Sequence, residues 1–150
     1  MKPLLVLTIV FIISVFAIRL VQGTYEIALA GRIAMSVMLL FTAMGHFKFD
    51  AGMSMMLPDF VPYKMKMVHL TGIFEIAAAT GLLLPNFKVV TGWLLIVFFI
   101  LVLPANVYAA MNHIDYQKAT FNGPGLTYLW FRIPLQLLFI LWVYVSSIKY

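Results

Sequence analysis

The sequence predicts an all-α membrane protein, with a four-helix transmembrane bundle over about residues 28–148 preceded by an additional N-terminal transmembrane helix. The first observation is composition: 64% of the 150 residues are hydrophobic and 10% are charged, whereas an average soluble domain carries roughly 25% charged residues. The second is that the apolar residues form five long stretches, and a helix needs about 20 such residues to cross ~30 Å of hydrocarbon. We therefore expect residues 1–150 to form a single transmembrane domain.

Five helices are predicted between turn-forming residues. The helices lie at about 4–21, 28–47, 66–84, 88–110 and 126–148. The turn formers between them are Gly23 and Thr24, Pro85 and Asn86, and the stretch FNGPG at 121–125. Small residues recur four apart at Ala77 and Gly81 and at Ala105 and Ala109, a spacing that allows close approach between helices and fits a tight bundle.

The first apolar segment has two interpretations. Lys2, the apolar run that follows it and the small residue Gly23 also describe a secretory signal peptide. Arg19 in the cleavage region and the lack of an Ala-x-Ala pattern favour an uncleaved helix instead.

The connection between the second and third helices contains a short amphipathic pattern. Apolar residues recur there at helical spacing and two prolines limit the run, which predicts an interfacial helix at about 49–60. Several methionines of this region could bind a soft metal, but the preferred interpretation is apolar side chains among lipid headgroups, and no metal site is predicted. These methionines are Met53, Met55, Met56, Met65 and Met67.

Charge and cysteine content exclude several functions. The net charge of +5 comes from scattered Lys and Arg residues that flank the helices, so no basic patch is present for nucleic acid. Cysteine is absent, which excludes disulfides and thiolate chemistry in this chain. We expect a multi-pass integral membrane protein, located in a bacterial cytoplasmic membrane and surrounded by lipid.

Threading the five helices places most buried polar residues in one half of the membrane. We call the side that carries the 48–65 connection the M side. Glu75 follows Lys66 by nine residues, which is about 13 Å of helix rise and places it near the midplane. Arg132 lies about 9 Å from the M side and Gln136 one turn deeper.

Four further residues share this half, and together with Glu75, Arg132 and Gln136 they form the predicted ligand-binding pocket. They are Asn106, Tyr108, His46 and His69. Asn106 alone also suits an interhelical hydrogen bond, and His46 an interfacial imidazole. The two histidines could ligate a b-type haem, which we treat as a minor alternative.

The energetics of charge inside a membrane make this clustering informative. An ionised side chain near the bilayer centre costs about 2.5 to 3.5 kcal/mol on insertion scales. We therefore expect Glu75 and Arg132 to face each other or to share a wet cavity, in a ligand-binding or proton-handling role. The alternative is a buried ion pair that only fixes helix register. No catalytic residue is identified.

Three stretches resemble the DoxX-like family of small membrane proteins. They are GRIAMSVMLLFTAMGHFKF at 31–49, MLPDFVP at 56–62 and LTGIFEIAAATGLLLP at 70–85, and the spacing of Gly72, Glu75 and Gly81 is the most specific element. The resemblance covers about residues 31–110 and implies a four-helix membrane bundle. It also implies an association with membrane oxidoreductases, with quinone chemistry or with the folding of other membrane proteins.

Three functions therefore compete. In the first, the chain is a non-catalytic subunit or partner of a membrane oxidoreductase, and its pocket holds a quinone: Arg132, Gln136 and Asn106 donate to the carbonyl oxygens while Glu75 handles a proton. In the second, it is a small proton-coupled transporter that uses Glu75. In the third, it is an assembly helper for another membrane protein. Lipid is the expected partner in each, with a quinone, an oxidoreductase subunit or a second copy of the chain as further candidates.

Overall fold

The fold is all-helical across the residues that the computed structural model describes, which are 2–115, 118–123 and 125–149. Six α-helices follow in chain order. They are α1 (Lys2–Gln22), α2 (Ile27–Lys48), α3 (Asp50–Met55), α4 (Lys64–Leu83), α5 (Lys88–Met111) and α6 (Leu129–Val143). A 3₁₀ turn at Gly125–Tyr128 leads into α6, and a π-helical segment at Tyr144–Lys149 continues it.

Among the described residues, five helical stretches are long and apolar enough to cross a membrane, which agrees with a multi-pass membrane protein. They are Pro3–Gln22, Ile27–Lys48, Lys64–Leu83, Lys88–Met111 and Gly125–Lys149. Each lies within two residues of its predicted bounds. Many large apolar side chains on these helices face outward, as lipid contact requires.

The short helix α3 is half the length predicted for the 49–60 segment. It ends at Met55, where the N–H groups of Met56 and Leu57 bond to carbonyls only three residues back. Pro58 is the physical reason, because the ring of a proline disfavours the helical conformation of the residue before it. The rest of the connection is irregular up to Tyr63, whose φ of 52° places it in the left-handed region just before α4.

Helix α2 is central to the packing. It lies against α1 on one side and antiparallel to α4 on another, and α5 packs against both α4 and α6. The buried apolar core comes from all five long helices, with fully buried members that include Leu7, Met35, Leu39, Leu82 and Val143. The same packing between helices also buries several polar side chains.

Helices α2 and α6 are joined at the end of the bundle opposite the M side. Arg32 donates from Nη1 to the carbonyl oxygen of Ser146 at 2.8 Å, and the Trp142 indole donates to the carbonyl oxygen of Gly31 at 3.0 Å. In the described part of the chain, no α2–α6 hydrogen bond is found nearer the M side. The accepting carbonyl of Ser146 belongs to the π-helical segment, where the backbone hydrogen bonds differ from those of an α-helix. This pattern suits a hydrogen bond from a donor on another helix.

Candidate functional site

The central polar site lies between α2 and α4. The Glu75 side chain is only 6% exposed, and its Oε2 atom lies 3.1 Å from the Thr42 hydroxyl. The single hydrogen of that hydroxyl is shared with the Leu39 carbonyl oxygen, which lies 3.0 Å away. The Oε2 atom of Glu75 also lies 3.2 Å from Nδ1 of His46. A buried carboxylate with two donors is well solvated by the protein, since an ionised carboxylate only accepts hydrogen bonds.

The hydrogen bonds of His46 identify where its proton lies. Nδ1 is 2.9 Å from the backbone carbonyl oxygen of Thr42 as well as close to Glu75. A carbonyl can only accept, so Nδ1 carries the hydrogen and donates it. Nε2 is therefore the nitrogen that can take a second proton, and the adjacent Glu75 carboxylate offsets the charge of the imidazolium that results.

Helix geometry and one glycine bring these groups together. Thr42 and His46 are four residues apart in α2 and so lie on one face. On α4, Gly72 faces them one turn before Glu75: a Cβ at this position would lie 3.0 Å from the Cβ of His46 and 3.0 Å from a ring carbon of Phe47. A larger residue at position 72 would require His46 and Phe47, or the helices themselves, to move by a few tenths of an ångström.

A second polar contact lies at the M-side end of the same pair of helices. His69 Nε2 is 3.0 Å from Oδ2 of Asp50, and the His69 ring stacks on Phe47 at 5.5 Å between centroids. This contact joins α3 to α4. The hydrogen bond from His69 is the largest influence on Asp50 and lowers the pKa of its carboxyl group.

A third polar cluster lies between α5 and α6. Gln136 is buried, and its Nε2 donates to the backbone carbonyl oxygen of Phe99 at 2.8 Å. Nearer the M side, Asn106 Nδ2 and Arg132 Nε are buried and have no hydrogen-bond partner among the described residues. Buried donors without partners are rare in native proteins, so both call for an explanation.

The structure thus divides the predicted pocket. It brings His46 to Glu75, but His69 bonds to Asp50 instead, and Arg132 forms no ion pair with Glu75 within the ranges described. The expected direct pairing of Glu75 with Arg132 is not found: Glu75 faces His46 and Thr42 of α2, whereas Arg132 lies on the face of α6 that carries Gln136 toward α5. Tyr108 is half-buried on α5, and its backbone carbonyl accepts hydrogen bonds from the side-chain amide and the backbone N–H of Asn112.

Three polar contacts around these clusters were not predicted from the sequence. Thr42 could have been identified, because it lies one turn before His46 on the same face. Ser36, whose hydroxyl donates to the carbonyl oxygen of Ala79 at 2.9 Å, continues the α2–α4 seam on the other side of Glu75. Nothing in the sequence marks Asp50 as a partner of His69, because the contact between the two side chains depends on the orientation of α3.

Two shallow grooves lie on the surface. One runs between α1 and α6 and is almost wholly apolar, lined by Leu4, Trp130, Phe131, Pro134, Leu135 and Leu138. The other runs along the α2–α4 seam on the far side of Glu75, lined by Ser36, Leu40, Ala79, Thr80, Leu83 and Leu84. No group of three His, Asp or Glu side chains that could hold a metal ion occurs in the described ranges.

Comparison with known proteins adds a family without an assigned activity. A family model described as a domain of unknown function, DUF8561, matches residues 35–147. That range begins within α2 and ends in the π-helical segment, so it includes all three polar clusters. No curated protein and no solved structure matches the chain.

Proposed function

The chain belongs to the DUF8561 family, and because the function of that family is unknown, we propose one from the site itself: a proton-handling, non-catalytic partner of a membrane redox system that uses quinone. The observation that carries the proposal is the buried contact of Glu75 with His46 and Thr42. Both side chains that approach the carboxylate bear exchangeable hydrogens. Buried carboxylates in membranes are commonly parts of proton or substrate pathways.

The site has the chemistry to hold one exchangeable proton. In one state Glu75 is ionised and accepts from His46 Nδ1–H and the Thr42 hydroxyl. In the other, a proton from the M side adds to Nε2 of His46, and the imidazolium and carboxylate neutralise each other. His46 is 17% exposed while Glu75 is 6% exposed, so the imidazole is the member of the pair that exchanges with the M side.

A quinone system is the process that such a site would serve. Reduction of a quinone consumes two electrons and two protons, and this chain has no cysteine to carry electrons. The electrons would therefore come from the partner oxidoreductase, and the His46–Glu75 pair would supply or receive protons. Gln136, expected to hold a quinone oxygen, is already bonded to the Phe99 carbonyl, so the proposal rests on the proton site.

The fold supports the same proposal. Helices α2, α4, α5 and α6 would form the four-helix bundle that the resemblance to DoxX-like proteins implies, with α1 as an addition to it. We assign the chain to a bacterial cytoplasmic membrane on the same resemblance.

Two measurements on the full chain in native lipid test the proposal. The first is infrared spectroscopy across about pH 5 to 8, the range in which imidazole titrates. Wild-type protein should show a pH-dependent signal from the His46 ring and a Glu75 carboxylate band that responds to it. Glu75→Gln should remove that band and shift the His46 transition, while Glu26→Gln, which removes an exposed acid at the start of α2, leaves both unchanged. A His46 transition that is the same in wild type and in Glu75→Gln rejects the proton site.

The second measurement concerns the redox partner. Protein extracted with its surrounding lipid should carry quinone above the level in the membrane, together with oxidoreductase subunits detected by mass spectrometry. If neither is enriched while the Glu75 signal is present, the redox part of the proposal fails and the proton site stands.

The α2–α4 groove favours a second candidate, a proton-coupled transporter. Ala79 and Thr80 follow Glu75 by four and five residues, about 6 to 7.5 Å toward the opposite side, and both line that groove. Glu75 would then lie between an M-side entrance at His46 and a polar-edged groove beyond. Uptake of a substrate into proteoliposomes that depends on a pH gradient, and stops in Glu75→Ala, would decide for this candidate.

A further inference from the structure

The α5–α6 cluster carries an inference that does not depend on the proton site. We propose that Arg132 and Asn106 bind the phosphate of an anionic phospholipid at the M side of the membrane. Asn106 is only 6% exposed. Its Nδ2 donor nevertheless has no hydrogen-bond partner in the described part of the chain. The same holds for the buried Nε of Arg132.

The helix register places the two donors on facing sides of α5 and α6, within about one helical turn of each other along the axis. The bond from Gln136 to the Phe99 carbonyl aligns α6 with α5, which run antiparallel. Arg132 lies four residues from Gln136 and Asn106 seven residues from Phe99, which is about 6 and 10.5 Å toward the M side. Spacings of four and seven keep each residue on the face of its helix that makes this bond.

The charge of Arg132 selects the class of ligand. A guanidinium stays protonated inside a protein, and an unpaired cation in a membrane segment is costly. Neither Glu75 nor any other described acid forms an ion pair with Arg132. A neutral quinone oxygen would accept its hydrogen bond but leave the charge uncompensated, whereas a phosphate does both and matches the geometry of arginine.

The position of Arg132 selects the membrane as the source of the phosphate. Arg132 lies near the M-side end of the Gly125–Lys149 span, about 9 Å along the helix from Leu126, and a long arginine side chain can reach the headgroups from that depth. Trp130 is highly exposed beside it, as interfacial tryptophans are.

The neighbouring surface suits an acyl chain. Leu135 is three residues after Arg132 and therefore lies next to it on α6. Leu135 also lines the apolar groove between α1 and α6, which extends away from the M side along Leu138. A phospholipid with its phosphate at Arg132 thus finds apolar surface below its headgroup.

Lipid retention by the full chain tests the proposal. The protein is placed in nanodiscs of phosphatidylcholine with a minority of phosphatidylglycerol, released into mild detergent and weighed by native mass spectrometry. Wild-type protein should retain phosphatidylglycerol in preference. Arg132→Leu should lower that retention about tenfold, the scale of a lost charge-assisted contact, whereas Arg19→Leu, which removes an exposed cation at the opposite side, should not.

Two further variants keep the test decisive if Arg132→Leu fails to fold. Arg132→Lys keeps the charge and loses the planar fork, so it should retain an intermediate amount of lipid. Asn106→Asp supplies an acid beside Arg132 that competes with the phosphate, so it should lose the lipid.

Several results would overturn the proposal. They are equal retention of both phospholipids by wild-type protein, unchanged retention in Arg132→Leu or in Asn106→Asp, displacement of the lipid by excess inorganic phosphate, and a bound quinone that Arg132→Leu removes. The Glu75→Gln protein should retain the lipid, and Arg132→Leu should keep the Glu75 infrared signal, so failure here is distinct from failure of the proton site.

Discussion

The Glu75 carboxylate lies 3.2 Å from Nδ1 of His46, on facing sides of α4 and α2. An acid and an imidazole so placed are within hydrogen-bonding distance inside a buried seam. The distance between the Glu75 and His46 side chains depends on Gly72 of α4 and on the Thr42 hydroxyl of α2. A substitution of Gly72 or Thr42 can therefore disturb the pair while both titratable groups stay in place.

Thr42→Val tests the contribution of the hydroxyl. The change removes one of the two donors to a buried carboxylate and should lower the free energy of unfolding by about 1–3 kcal/mol. Unfolding in mixed micelles measures the loss. Thr8→Val is the matched control, because the Thr8 hydroxyl is exposed and bonds to the Leu4 carbonyl within its own helix. Equal effects of the two changes would contradict the role given to Thr42.

Gly72→Ala tests the close approach of α2 and α4. The new methyl group would lie 3.0 Å from the Cβ of His46, so the helices must separate, at a cost of about 1–3 kcal/mol in unfolding free energy. The His46 signal should change with it. Gly45→Ala serves as the control, since its nearest neighbour would be the Cε of Met53 at an ordinary 3.6 Å. A Gly72→Ala protein as stable as Gly45→Ala would refute the packing argument.

Arg32→Leu tests the junction of α2 with the π-helical segment. Arg32 donates to the Ser146 carbonyl, and loss of a hydrogen bond from a charged group costs about 1.5 kcal/mol or more. Amide exchange across 144–149 should therefore accelerate roughly tenfold, as measured by hydrogen–deuterium exchange. Arg19→Leu should leave that segment unchanged. Faster exchange in both variants would indicate a general effect of charge.

The Asp50–His69 contact should respond to acid. The pKa of Asp50 is lowered in the folded protein by its hydrogen bond with His69, so the contact contributes stability above the ordinary pKa of aspartate, about 3.9. That contribution is lost as the pH falls through the lowered folded-state pKa. Amide exchange in α3 should rise over this acid range in wild-type protein.

Asp50→Asn provides the comparison for this acid response. The variant should show the faster exchange in α3 already at neutral pH and little change with acid. Asp59→Asn, which removes a 95% exposed side chain, should behave like wild type. An unchanged acid response in Asp50→Asn would assign the effect to another group.

Much of the fold could be predicted because span length and apolar composition alone determine which segments cross a membrane. The burial of Glu75, Asn106 and Gln136 could also be predicted from depth. Their partners could not, because depth does not give the rotation of each helix: Glu75 faces α2 and His46, while Arg132 lies on the α6 face that carries Gln136.

Two other features depend on long-range packing. The π-helical end of α6 has no local signature, and its carbonyl at Ser146 is reached from Arg32, which is 114 residues earlier in the chain. The early end of α3, by contrast, could have been predicted from Pro58. Proline disfavours the helical conformation of the residue before it, and this effect outweighs the helical spacing of the apolar residues.

The most direct measurement of the central claim is the ¹⁵N spectrum of the His46 ring in lipid bilayers as the pH is lowered. Our account predicts a neutral ring protonated at Nδ1, which gains a second proton at Nε2 on acidification, and a shifted transition in Glu75→Gln. A ring protonated at Nε2 alone, or a transition that is the same in wild type and Glu75→Gln, would contradict it.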